Sequence, residues 1–205
     1  MFPPIPPITR ALVIANVLVY LLEWLMPEQL VAVFALWPPG PLFHPWQVVS
    51  YAFLHDPRNL LHIIFNMYAL YMFGGALETY WRSRGAASFY LLFYFASVLA
   101  AAGTELLVLS QSNVVEPVLG ASGGVFGVLL GFAWFFPRSK LIVLPIPVPI
   151  SAWLLVAIYG GIELWLGVTG RQDSVAHFAH LGGMLGGAIM ILLWRARDRD
   201  TTTLH

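Results

Sequence analysis

Hydrophobic residues in this chain come in long blocks separated by short polar or proline-rich breaks. Apolar stretches run over residues 9–26, 60–80, 86–109, 119–136, 150–168 and 175–194, each near the roughly 20 residues an α-helix needs to cross about 30 Å of hydrocarbon. The breaks carry chain-turning residues: Pro27, the Trp37-Pro38-Pro39-Gly40-Pro41 cluster, Arg82 to Gly85, Ser110 to Pro117, Pro137 to Pro149, and Gly170 to Ser174. The pattern predicts an all-α polytopic membrane protein, a bundle of six transmembrane helices over residues 9–195 with short segments at 1–8 and 196–205. Segment 27–59 is too long for a simple turn and holds Trp37, Phe43, Trp46, Tyr51 and Phe53. Such residues favour the membrane interface, so this segment is expected to fold back as short amphipathic pieces that brace the bundle. The stretch Phe2 to Pro7 offers neither a basic flank nor a small-x-small cleavage site, so the first span reads as a retained helix rather than a signal peptide.

Composition agrees with the pattern. The chain is 59% hydrophobic and 10% charged, where a soluble domain carries about 25% charged residues. Cysteine is absent, which excludes disulfides, thiolate metal sites and a cysteine nucleophile. The formal net charge is zero, and nothing global points to nucleic acid. Eight basic residues (Arg10, Arg82, Arg84, Arg138, Lys140, Arg195, Arg197, Arg199) fall on one side of the predicted topology and two (Arg58, Arg171) on the other. The positive-inside rule then puts both termini in the cytoplasm and turns 27–59, 110–118 and 169–174 outward.

Polar groups inside spans are costly and become functional candidates by default. Here they are Asn16, Glu23, His62, Asn66, Glu78, Glu105, Ser122, Glu163, His177 and His180. Ser122 lies in Gly120-Ala121-Ser122-Gly123-Gly124, three residues into the fourth stretch. Glycines on both sides admit close approach of other backbone, and the unpaired N–H groups of a helix start can hold a developing anion. Small residues are equally the ones that let membrane helices pack tightly. His62 and Asn66, four apart, share a helix face and offer donors suited either to an oxyanion site or to holding neighbouring helices. His177 and His180 lie three apart without the acidic spacing of a zinc motif, so no metal is expected. Gly183 and Gly187 after His180, and Gly123, Gly127 and Gly131 after Ser122, form two small-residue faces. If these faces meet, Ser122 and His180 become neighbours. No Asp lies within a span, so a Ser–His dyad rather than a triad is implied.

Together these motifs resemble the rhomboid family of intramembrane serine proteases. The resemblance rests on His62-x-x-x-Asn66, Gly120-x-Ser122-Gly123 and Ala179-His180-x-x-Gly183-x-x-x-Gly187 on spans two, four and six, and it covers about residues 9–195. It implies Ser122 as nucleophile, His180 as base, and His62, Asn66 and the Ser122 N–H as oxyanion donors. Gly120, Gly123, Phe126, His177 and Gly183 are then supporting residues. Some members carry Tyr where this chain has Phe126, so ring packing against the histidine is kept and a hydroxyl is lost. The stretch Trp46 to His55 resembles the lead-in to the second helix, and Glu78 reads as structural near the cytoplasmic loops. The implied reaction is endoproteolysis of transmembrane segments through an acyl-enzyme, with membrane-protein substrates and the lipid bilayer as partners. It needs no cofactor, and the active site opens to the outer side of a cell membrane, the inner membrane of a bacterium. The resemblance further implies substrates with small residues at the cut and a helix-destabilising segment beyond it. A lid is expected, with 169–174 as the candidate. Two other readings remain: an inactive rhomboid-like protein that binds membrane helices, and a channel or transporter using Glu23, Glu105 and Glu163 as pathway residues.

Overall fold

A computed structural model describes residues 4–112, 115–143, 146–169 and 176–202. Each of the six apolar stretches contains a helix: α1 (Pro7–Glu23), α4 (Leu60–Ala69) running through a π turn (Leu70–Gly74) into α5 (Gly75–Arg82), α6 (Ala87–Leu109), α7 (Ser122–Phe135), α8 (Ala152–Thr169) and α9 (His177–Thr202). The continuous helix Leu60–Arg82, α6, α8 and His177–Asp198 of α9 are long and apolar enough to cross a membrane. Helix α7 has only 14 residues, about 21 Å at 1.5 Å per residue. It begins late because Gly120 has φ +128° and cannot extend it toward the N-terminus. Large apolar side chains such as Leu22, Phe65, Leu92, Leu107, Trp165 and Leu192 face outward, a surface that fits lipid and not water.

The segment between the first two spans folds as expected into short pieces, α2 (Pro27–Phe34), α3 (Gln47–Ser50) and a 3₁₀ turn at Tyr51–Phe53. Gln47 holds it together. Its side-chain oxygen accepts from the N–H groups of Trp37 and His44, and its amide donates to the carbonyls of Val33 and Leu42. The Tyr51 hydroxyl donates to the Val98 carbonyl of α6 at 2.9 Å, tying the segment to the bundle centre. One element went unforeseen. The Pro137 to Pro149 break contains a β-hairpin, β1 (Lys140–Val143) against β2 (Ile146–Ser151), with Lys140 opposite Ser151 and Leu141 opposite Ile150.

The π turn has a purpose that spacing explains. Asn66 and Glu78 are twelve residues apart, which in an unbroken α-helix would place them roughly 120° apart around the axis. One extra residue in the π turn reduces the offset to roughly 20°, and both side chains are buried. Glu78 accepts from Ile8 N (3.0 Å), Thr9 N (2.7 Å) and Thr9 Oγ1 (2.9 Å), tying down the first turn of α1, and it pairs with Arg82 at 2.8 Å. Glu78→Ala is therefore expected to cost about 3–5 kcal/mol, read as a lowered unfolding midpoint in detergent. An unchanged midpoint would show that α1 is held by its apolar face alone.

Helices α6, α7 and α9 form the centre of the bundle. Their contacts are glycine contacts. A Cβ at Gly183 would collide with the Gly123 carbonyl, one at Gly187 would meet Gly127 O at 3.0 Å, and one at Gly186 would meet Ala96 O of α6 at 2.7 Å. The small-residue faces of α7 and α9 thus meet as the sequence suggested.

Candidate active site

Ser122 is the first residue of α7 and His180 lies in the first turn of α9. Because Gly123 and Gly183 touch through backbone, the residues just before them are brought together. Ser122 Oγ and His180 Nε2 are 2.8 Å apart. The His180 ring stacks on Phe126 with centroids 4.3 Å apart and planes within 8°. The loss of a tyrosine hydroxyl at position 126 therefore leaves the ring support in place.

The loop before Ser122 is fixed by the segment between the first two helical stretches. Leu36 pairs with Val118 through two backbone hydrogen bonds of 2.9 Å, and the Gly120 N–H donates to the Tyr51 carbonyl at 3.0 Å. Gly120 is needed twice: for its φ of +128°, and because a Cβ there would lie 2.8 Å from His62 Nε2. The His62 ring thus presses against the backbone two residues before the serine. Asn66 is buried behind it, donating to the His62 carbonyl at 3.0 Å and facing His55 Nε2 at 3.3 Å. His55 was part of the lead-in motif but was not assigned a place at the site. It is fully buried, and burial followed by the proximity of His62 pushes it down to about 3, so it stays neutral and serves as a polar spacer. Its backbone N–H explains another residue: Glu23 receives it with both carboxylate oxygens, at 3.1 and 2.9 Å.

His177 does not reach Ser122. Its Nδ1 lies 2.6 Å from Glu163 Oε2, and the same oxygen is 3.0 Å from His180 Nδ1. Sequence reasoning counted Glu163 among costly charges yet looked only for Asp as a third member. Glu105 on α6 is buried beside the backbone of Ala179 at the start of α9. The three glutamates of the transport reading are thus spread over two anchoring tasks, at His55 and at α9, rather than gathered along a path. The lid candidate lies outside the described residues apart from Thr169, which ends α8.

Glu163, His177 and His180 have donor atoms within 4.8 Å of one another, a chemistry suited to a divalent cation. The spacing is less so. An ion bonded tetrahedrally at about 2.0–2.1 Å would hold its ligands about 3.3 Å apart, whereas the oxygen here is 2.6 and 3.0 Å from the two nitrogens. Those distances suit protons.

A multi-pass helical membrane bundle with a serine and a histidine in hydrogen-bond reach across two glycine-packed helices defines the class. Residues 43–197 match the Rhomboid domain, and the chain belongs to the rhomboid family. It is 36% identical over 146 residues to Rhomboid protein 1, mitochondrial, of Saccharomyces cerevisiae, covering 69% of this chain and 40% of that protein. It is 27% identical over 202 residues to Rhomboid protease GlpG of Salmonella choleraesuis, covering 96% of this chain and 66% of that protein. The chain thus spans about two fifths of the yeast relative and just under two thirds of the Salmonella one.

Proposed function

We propose that this chain is an intramembrane serine endopeptidase that cuts transmembrane segments of other proteins, with Ser122 as nucleophile and His180 as general base. The observation that carries the reading is the 2.8 Å contact between Ser122 Oγ and His180 Nε2. Ser122 attacks a peptide carbonyl as its proton passes to His180 Nε2. The same proton then goes to the leaving amine, and water hydrolyses the acyl-enzyme. The tetrahedral oxyanion is held by the Ser122 N–H, left unpaired at a helix start, by His62, and by Asn66 once its amide turns from the His62 carbonyl. Water exclusion by the surrounding helices strengthens each of these bonds.

On this reading α1, α4–α5, α6, α7, α8 and α9 each cross the membrane, and the basic-residue asymmetry puts both termini in the cytoplasm. Ser122 then lies below the outer headgroups, because α7 starts late and is approached by the loop pinned to Leu36 and Tyr51. The inactive, helix-binding reading has less support: both reacting residues are present and in contact, and the Salmonella relative is named as a protease. The test is to incubate purified protein in detergent with a transmembrane substrate and map the fragments. A single cut within or beside the membrane segment is expected. Intact substrate held in a stable complex would favour the binding protein instead.

The oxyanion assignment has its own check. His62→Ala and Asn66→Ala should each lower kcat by about 10²–10³-fold with KM little changed, as removal of an oxyanion donor does. A raised KM at normal kcat would remove them from that role. Gly120→Ala should resemble His62→Ala in kcat, because its Cβ displaces the ring, and it adds backbone strain of about 1–3 kcal/mol.

A further inference from the structure

His180 has a second ring nitrogen, and the reaction described above gives it nothing to do. To accept the Ser122 proton, Nε2 must offer its lone pair, so the ring hydrogen must sit on Nδ1. That atom is buried with no aligned hydrogen-bond partner among the described residues, yet Glu163 Oε2 is 3.0 Å away. We propose that Glu163 is the positioning residue of this site, selecting the Nδ1-protonated tautomer of His180 and stabilising the imidazolium formed during proton transfer. The site is then a Ser122–His180–Glu163 triad, with His177 as the anchor of its carboxylate. This rests on the reading of Ser122 and His180 as the reacting pair.

Three observations support it. The Glu163 carboxylate is fixed by His177 Nδ1 at 2.6 Å, and both side chains are about nine-tenths buried. A carboxylate held this way is already oriented and needs no reorganisation. The Phe126 stack confines the His180 ring to its plane, and hydrogen bonds that work during catalysis are often poorly aligned until substrate binds. Finally, a buried imidazolium without a counter-ion is costly. Among the described residues Glu163 is the carboxylate paired with His180 Nδ1, whereas Glu105 lies beside the backbone of Ala179. The proton budget is simple: one proton leaves Ser122 Oγ for Nε2 and returns to the amine, while the Nδ1 hydrogen stays on nitrogen and Glu163 remains ionised.

The experiment compares wild type, Glu163→Gln and Glu163→Asp as purified full chains in detergent. It measures kcat and KM on one transmembrane substrate and the rate at which a fluorophosphonate labels Ser122. Glu163→Gln should lower kcat and the labelling rate together by about 100-fold, with KM within about threefold. Glu163→Asp, which keeps the charge, should recover part of both. A kcat for Glu163→Gln within about threefold of wild type, or a loss seen only in KM, overturns the proposal. Where Glu163→Gln does not fold, ¹⁵N spectra of histidine-labelled wild type decide. Protonated Nδ1 and bare Nε2 on His180 support it, and the reverse tautomer overturns it. Loss of activity to a chelator, restored by zinc, would assign the cluster to a metal and equally overturn it. Ser122→Ala retaining wild-type cleavage would instead bring down the protease reading itself, so the two failures are told apart.

Discussion

Ser122→Ala and His180→Ala should each abolish cleavage of a transmembrane substrate, with kcat/KM at least about 10⁴-fold below wild type. The size of the effect follows from the contact. A serine hydroxyl is a weak nucleophile until a base takes its proton, and the base here stands 2.8 Å away. Removing either partner removes the same step, so the double variant should be no worse than either single one, the non-additivity expected of residues acting as a unit. Folding is checked separately, because the His180 ring also stacks on Phe126 of α7 and lies 3.0 Å from Glu163 of α8, whereas Ser122→Ala removes only the contact of Oγ with His180 Nε2. The measurement is initial cleavage rate in detergent beside thermal unfolding of each variant. Unchanged cleavage in either single variant would sink the assignment. His177→Ala discriminates further. It should keep substantially more activity than His180→Ala, since His177 acts only through Glu163 and not on Ser122, and a His177 variant that is dead beside an active His180 variant would move the base.

Much of this site could be read from residue order alone, for a physical reason. Membrane burial makes polar side chains so costly that ten of them within apolar stretches were already a candidate list. Glycines at helical spacing told which faces approach, and the Gly123–Gly183 contact is that inference in three dimensions. What was hidden depended on phase and on tertiary neighbours. The π turn at Leu70–Gly74 leaves no composition signal in Leu-Tyr-Met-Phe-Gly, yet it decides that Asn66 and Glu78 both face inward. The short start of α7 follows from one glycine φ angle. Glu163 carried the needed charge, but only the packing of α8 against α9 shows that it points at His180 rather than at the outer interface. His55 was inside a recognised motif, and its burial between Glu23 and Asn66 became visible only when α1 and α4 were placed.

Gly183→Val should reduce kcat by at least about 10²-fold, as misplacement by about 1 Å does, even though residue 183 contacts no substrate in the proposed reaction. Its missing Cβ is what lets α9 lie on α7. An added Cβ would strike the Gly123 carbonyl oxygen and come within 2.7 Å of its carbon and 3.1 Å of its Cα. All three atoms are backbone, so no rotamer change relieves the clash and the helices must separate. Packed interiors tolerate such overfilling poorly, at about 1–3 kcal/mol or more. The lever arm is short: Gly123 follows Ser122 directly, and Gly183 is three residues from His180 on the same helix. A shift of about 1 Å carries the 2.8 Å pair beyond hydrogen-bond range. Gly161→Val is the control, because nothing lies within 4 Å of its Cβ position on α8 and its effect should stay within about 0.5 kcal/mol, as for a surface substitution. The comparison is made on kcat, on fluorophosphonate labelling of Ser122, and on the unfolding midpoint. Loss of labelling in Gly183→Val with a folded protein would show that glycine packing sets the nucleophile's reactivity. Wild-type labelling would mean instead that Ser122 and His180 are held together without the α7–α9 contact, and that the loop bonds from Val118 to Leu36 and from Gly120 to Tyr51 suffice.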